Sequence, residues 1–178
     1  MIDLIDLKTI CPLARSERLG QLLPFLNSTM IEFRINTPLR QAAFLAQLAH
    51  ESGQFRYLAE IASGAAYEGR HDLGNTSAGD GRRFKGRGLI QITGRANYAA
   101  CSIALFGNPS TLLNNPELLE HSEAACRSAG WFWSSRRLNQ LADIGDMQHI
   151  TRRINGGLNG FEDRMKFYSR AKIVLGAA

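Results

Sequence analysis

Cysteine is scarce in this sequence, proline nearly as scarce, and no long apolar run occurs. The cysteines are Cys11, Cys101 and Cys126, an odd set of 3 with no C-x-x-C pair. That excludes a disulfide framework and a thiolate metal site. Each lies in an apolar or helical stretch, so each reads as a buried free thiol, which fits synthesis in a reducing cytosol. No run of about 18 apolar residues is present, so stable membrane insertion is not expected. The opening run from Met1 to Leu7 carries Asp3 and Asp6 and no basic residue, unlike a secretory signal. If the substrate lies beyond the cytosol, another factor has to release the protein. Internal repeats, low-complexity linkers and clusters of metal-ligating residues are missing too. Neither a metal nor an organic cofactor is expected.

What is present suits one globular domain. The chain has 178 residues, 44% hydrophobic and 21% charged, enough for a sizeable core. The 21 Lys and Arg outnumber the 16 Asp and Glu, for a net charge of +5. The cations gather between Arg70 and Arg95 and again from Arg164 to Lys172. Such a balance favours anionic partners, among them nucleic acid, a membrane surface or an anionic cell wall. A solvated basic surface is the plainer reading. A nucleic-acid role lacks support, because Arg152 and Arg153 sit in no recognition-helix motif.

Apolar periodicity places helices at both ends of the chain. Leu19, Leu22, Leu23, Leu26, Met30 and Phe33 recur every three or four residues, which predicts a helix over 16–33 with a kink or break at Pro24. Asn36-Thr37-Pro38 is a helix start, with Thr37 as cap and Pro38 in the first turn. That helix is apolar nearly all round as far as Glu51, so it should be central and buried, and Gly53 can end it. Further helices are expected over 97–106, 122–133, 146–154 and 161–175. Asn114-Asn115-Pro116 and Asn155-Gly156-Gly157 read as turns. Between Ser63 and Gly94 the helical period vanishes and glycine is frequent. This is a long loop, with a short hairpin near 85–93, and loops of that length are usually functional.

Three glutamates can carry acid–base chemistry. Glu51 shares a helix face with Phe44, Gln47 and Leu48. A carboxyl among apolar neighbours resists ionisation, as a general acid must. The alternative is a helix-end glutamate open to water. Glu60 lies nine residues on, and a continuous helix would put it on the opposite face. Because Ser52-Gly53 breaks the helix, the chain can return and bring Glu60 across a groove. Glu68 is a rival, though Arg70, Arg82 or Arg87 could hold it as a loop staple. Inverting glycoside hydrolysis needs two carboxyls about 6.5–9.5 Å apart with a water between them.

The most distinctive run is Phe84-Lys85-Gly86-Arg87-Gly88-Leu89-Ile90-Gln91-Ile92-Thr93. It fits no phosphate loop, since G-x-x-x-x-G-K-[ST] is missing. It closely resembles the (F/Y)-x-G-R-G-x-I-Q-(I/L)-(T/S) signature of glycoside hydrolase family 19, the family of plant-type chitinases and many phage endolysins. His50-Glu51-Ser52 resembles that family's His-Glu-(Thr/Ser) motif. Ile154-Asn155-Gly156-Gly157 resembles its Ile-Asn-Gly-Gly turn, and Asp163 to Tyr168 its late D-R-x-x-(F/Y)-Y helix. The stretch from Thr37 to Gly53 is similar to the endolysin form.

The resemblance implies a mainly α, lysozyme-like fold with a substrate cleft between two lobes, as a single catalytic domain over 1–178 without a separate wall-binding module. It implies Glu51 as general acid, Glu60 as general base and Thr93 as holder of the attacking water. Gln91, Asn155 and Tyr67 would line the sugar cleft, and Arg164 would tune or orient the base. In plant relatives the second glutamate lies further from the first, which keeps Glu68 open as the base. Trp131 and Trp133 read as core, and His50 as a packing residue. The expected activity is inverting cleavage of β-1,4 MurNAc–GlcNAc bonds in the peptidoglycan glycan strand by a monomeric endolysin. It would be made in a bacterial host's cytoplasm and released to the wall. A bacterial chitinase of the same family is the neighbouring alternative, and a non-catalytic wall-binding protein the alternative of another class.

Overall fold

A computed structural model describes residues 1–177. Helices supply the architecture, and no extended strand occurs among the described residues. In chain order they are α1 (Leu4–Ile10), α2 (Ser16–Glu32), α3 (Pro38–Glu51), α4 (Asp80–Arg83), α5 (Arg95–Phe106), α6 (Ser110–Asn114), α7 (Ser122–Ser135), α8 (Leu138–Asp143), α9 (Met147–Asn155) and α10 (Phe161–Leu175).

The central helix is α3. Thr37 caps it, its Oγ1 accepting from the Arg40 N–H at 3.3 Å, and Pro38 occupies the first turn. Every residue from Ala42 to Ala49 is buried. Burying Phe44 alone contributes roughly 2–3 kcal/mol. Its ring meets Trp133 edge-on at 5.3 Å and 78°, a geometry worth about 1 kcal/mol more. Helix α10 packs along α3, α2 lies against α7, and α1 covers α10 and α2. At the α2–α7 contact Gly130 is required for close approach, since a Cβ there would collide with Phe33 and Thr29. Trp133 is buried and Trp131 is partly buried against the same core.

Two helical expectations need correction. Pro24 neither breaks nor divides α2, which runs as one element through it. The buried stripe Leu19, Leu22, Leu26 and Met30, pressed on α7, outweighs the one backbone bond that proline removes. Helix α1 falls where the sequence reading saw only acidic residues. Those acids make it: Asp3 Oδ1 accepts from the Asp6 N–H at 2.8 Å, and Asp6 Oδ2 from the Asp3 N–H at 2.9 Å. This reciprocal cap is the capping-box device, with aspartate in both places. Helices α6 and α8 span 5 and 6 residues, too short for periodicity to register.

The glycine-rich segment after α3 is largely irregular, as expected, with two 3-10 turns at Ala65–Tyr67 and His71–Leu73 and the short α4. The hairpin expected near 85–93 shrinks to one antiparallel bridge between Arg87 and Ile92, beside another between Ala59 and Arg87. Positive φ at Gly88 (78°) and Gln91 (58°) turns the chain too sharply for a longer ladder.

All three cysteines are free and buried. Burial pushes the Cys11 and Cys101 thiols up to about 12 and raises the Cys126 thiol as well.

Candidate active site

One cavity collects residues from four parts of the fold. Its volume is about 260 Å³, and it is lined by Glu51 from the end of α3, Gln91 and Thr93 from the glycine-rich segment, Phe132 and Arg136 at the end of α7, and Asn155 at the end of α9. Leu73, Ile90, Ile92, Asn97 and Ile154 complete the wall. The helical body and the irregular segment thus form opposite sides of a cleft. A larger cavity, about 620 Å³, opens between α4, α5 and α6. Its polar groups are already engaged, Arg95 with Asp80 at 2.5 Å and Arg83 with the carbonyls of Leu113 and Asn114. It offers no second carboxylate.

Glu51 is placed by α3 and held from α10. The Arg164 guanidinium, 1% exposed, donates to Glu51 Oε1 at 2.5 Å and also to Gln47 Oε1. Glu51 Oε2 has no hydrogen-bond partner among the described residues. Gln47 sits one helical turn before Glu51, so both acceptors face the same cation. Two expectations change here. Glu51 does not rest in purely apolar surroundings, because the buried face it shares with Phe44 and Leu48 also admits Arg164. And Arg164 meets Glu51 rather than Glu60, because α10 packs directly on α3. His50 is a packing residue: its Nδ1 lies 2.7 Å from Asp163 Oδ2, tying α3 to α10 beside the same contact.

Glu60 is placed quite differently. Its Oε1 accepts from Tyr67 Oη at 3.0 Å and its Oε2 from the Gly86 N–H at 3.1 Å. Its backbone pairs with Gly86, N–H to carbonyl at 2.8 Å, and its carbonyl accepts from Lys85 Nζ at 2.9 Å. Tyr67 is itself fixed where Asn75 Nδ2 donates to its carbonyl at 2.9 Å. Burial, with the Glu60 carboxylate beside it, raises the Tyr67 hydroxyl above the ordinary tyrosine value. Tyr67 therefore remains a donor at neutral pH.

Gly86 marks the point where three polar side chains converge. A Cβ on it would lie 2.7 Å from Gln91 Oε1, 3.3 Å from Glu60 Oε2 and 3.3 Å from Thr93 Oγ1. The missing side chain is what lets them meet. Thr93 Oγ1 donates to the Gln91 carbonyl at 2.9 Å, which leaves its oxygen lone pairs free to accept. Glu60 Oε2 and Thr93 Oγ1 are thus neighbouring acceptors beside a cavity that Glu51 also lines. A water seated there can give one proton to each and keep a lone pair outward.

Glu68 stands apart from this arrangement. Its Oε1 accepts from the Gly79 N–H at 2.6 Å and its Oε2 from the Gly81 N–H at 2.8 Å. It is a loop staple, but to backbone amides at the start of α4 rather than to the arginines expected. Asn155 lies in the turn that ends α9, with Nδ2 to the Asn159 carbonyl at 3.3 Å. Phe132, Arg136 and Asn97 line the cavity without having been singled out in the sequence. An aromatic followed four residues later by arginine, at a helix end, was the available signal for the first two.

Among the described residues no cluster of His, Cys, Asp or Glu could hold a metal ion. Among the same residues no helix is long and apolar enough to cross a membrane.

Comparison with known proteins converges on one family. A model described as chitinase class I matches residues 36–144. A glycosyl hydrolase family 19 domain-containing protein of Haemophilus influenzae is 33% identical over 163 residues, covering 73% of this chain and 77% of that one. An endochitinase of Arabidopsis thaliana is 40% identical over 119 residues, covering 65% of this chain and 39% of that one. The chain spans about half or less of the plant endochitinases it matches. The crystal structure of a bacterial family 19 chitinase superposes with a TM-score of 0.78 at 24% identity, covering 99% of this chain and 96% of that one.

Proposed function

Because the chain belongs to glycoside hydrolase family 19, we propose that it is a peptidoglycan-degrading endolysin that hydrolyses β-1,4 MurNAc–GlcNAc bonds with inversion. Glu51 acts as general acid and gives its proton to the glycosidic oxygen from Oε2, the oxygen that Arg164 leaves free. Glu60 acts as general base. It takes a proton from a water that Thr93 also holds, and that water attacks the anomeric carbon from the opposite face. Gln91 and Asn155 hold sugar hydroxyl or acetamide groups, and Tyr67 keeps Glu60 in place.

The observation that carries this reading is the meeting of Glu60 Oε2, Thr93 Oγ1 and Gln91 Oε1 around Gly86, beside a cavity that Glu51 lines. A single-displacement mechanism calls for such an arrangement, with water seated between a fixed base and a second acceptor. The net charge of +5 suits an anionic wall better than neutral chitin. The similarity of residues 37–53 to the endolysin form points the same way. The whole chain serves as one catalytic domain and acts as a monomer. Another factor brings it from a bacterial cytoplasm to the wall.

The test is digestion of purified peptidoglycan and of chitin oligomers side by side, with Glu51→Gln and Glu60→Gln as controls. Peptidoglycan should be cut, with inverted anomers detected by NMR. Each substitution should lower kcat by about 10²–10⁴-fold while wall binding persists. Turnover of chitin alone would favour the bacterial chitinase reading. Wall retention without product, unchanged in Glu51→Gln, would leave a wall-binding protein.

A further inference from the structure

Arg136 is a cation in the cleft that no acid among the described residues pairs with. It caps the C-terminal end of α7, and its carbonyl accepts from Arg153 Nη1 at 2.9 Å. Its guanidinium carbon lies 3.4 Å from the centroid of the Phe132 ring. Its side chain makes one hydrogen bond, a 3.4 Å contact with Ser135 Oγ. No carboxylate lies within 4.0 Å of it among the described residues. By contrast Arg40, Arg87, Arg95, Arg127 and Arg164 each pair with an acid; Arg18, also part-buried, does not, but it lies outside this cavity and donates to Gln21 Oε1 at 3.3 Å. Glu51, the acid that shares the cavity, is already held by Arg164. Burial lowers the Arg136 pKa from its ordinary value, and no partner offsets it. A partly dehydrated, unpaired cation is a standing invitation to an anion.

We propose that Arg136, seated on Phe132, is a specificity residue that receives a substrate carboxylate from the lactyl-peptide branch of peptidoglycan and so favours that polymer over chitin. This rests on the peptidoglycan reading above. Chitin presents only neutral hydroxyl and acetamide groups. MurNAc carries a lactyl ether whose carboxyl is either free or joined to a peptide that bears carboxylates of its own. Stacking on Phe132 fixes the guanidinium plane, so its edge donors are in place before a planar carboxylate arrives. The competing role for Arg136 is a helix-end cation that only stabilises α7, and that role is blind to the substrate.

The experiment compares wild type, Arg136→Gln and Arg136→Lys on intact peptidoglycan, on peptidoglycan stripped of its stem peptides by an amidase, and on a chitin hexamer. Arg136→Gln should lower kcat/KM on an anionic substrate about tenfold to a hundredfold, mainly through KM. On chitin it should change by less than about twofold. Arg136→Lys should recover part of the loss, and added salt should raise KM for peptidoglycan more in wild type than in Arg136→Gln. A loss on the stripped form alone assigns the freed lactyl carboxylate, a loss on the intact form alone assigns the carboxylates of the stem peptide, and a loss on both means that Arg136 receives either. An equal loss on all substrates, or none on any, overturns the assignment and leaves the peptidoglycan reading standing. If wild type cuts chitin alone, that reading fails first and the Arg136 role goes with it. Thermal melts verify folding, and should Arg136→Gln melt early, the comparison of Arg136→Lys with wild type decides.

Discussion

Glu51, which lines the cavity, and Glu60, which lies beside it at Gly86, are anchored by opposite means. Glu51 belongs to a buried helix and is gripped by a side chain 113 residues away, the almost wholly buried Arg164. Glu60 belongs to irregular chain and is gripped by neighbours in sequence, the Tyr67 hydroxyl and the Gly86 amide. The first anchor is a charge pair that depends on the packing of α10 on α3. The second depends on backbone proximity, which the absence of a side chain at Gly86 permits. Rigidity on one side of the cleft is tertiary, and on the other it is local.

If that contrast is right, the largest effect comes from breaking the tertiary anchor. Arg164→Met should leave Gln47 and Glu51 without their donor and cost about 2–3 kcal/mol of stability, discounted because Glu51 is partly open to water. Urea unfolding should read this as a lower midpoint, accompanied by a loss of activity. An unchanged midpoint would mean that the α3–α10 pair does not hold Glu51. The local anchor should break more quietly. Gly86→Ala puts a methyl group against Gln91, Glu60 and Thr93 and should lower kcat about tenfold to a hundredfold. Its melting temperature should move much less than that of Arg164→Met. Unaltered kinetics would separate Gly86 from the water site. The smallest effect belongs to Glu68→Gln, which weakens two bonds to backbone amides. Stability should drop by about 1 kcal/mol with turnover within about twofold. A dead Glu68→Gln would transfer the base role from Glu60 and undo the comparison.

The same division explains what could be read from the sequence. Helices α2, α3, α5, α7, α9 and α10 announce themselves through apolar periodicity and, for α3, through its cap, because each is long enough to bury a stripe. The Thr37-Pro38 start and the break after Glu51 follow from local chemistry alone. Family resemblance picked out Glu51, Gln91, Thr93 and Asn155, which the fold gathers around one cavity. What sequence could not supply was the identity of long-range partners. Nothing local says that Arg164 reaches Glu51 and not Glu60, since that depends on how α10 lies on α3. Nor does composition reveal that Glu68 takes backbone amides in place of arginines, because the turn at Gly79 to Gly81 brings N–H groups within reach. Arg136 escaped notice for a similar reason: its meaning lies in lacking a partner, and only three dimensions can show that.

The three buried thiols have a practical corollary. Each sits in a different part of the helical body, Cys11 just after α1, Cys101 in α5 and Cys126 in α7. None is bridged, and burial keeps all three protonated and out of reach of alkylating reagents. Each can be modified only when the helices around it part. The protein therefore carries three internal clocks, and the order in which they are labelled under native conditions would time the separate breathing motions of its helical regions without any engineered probe.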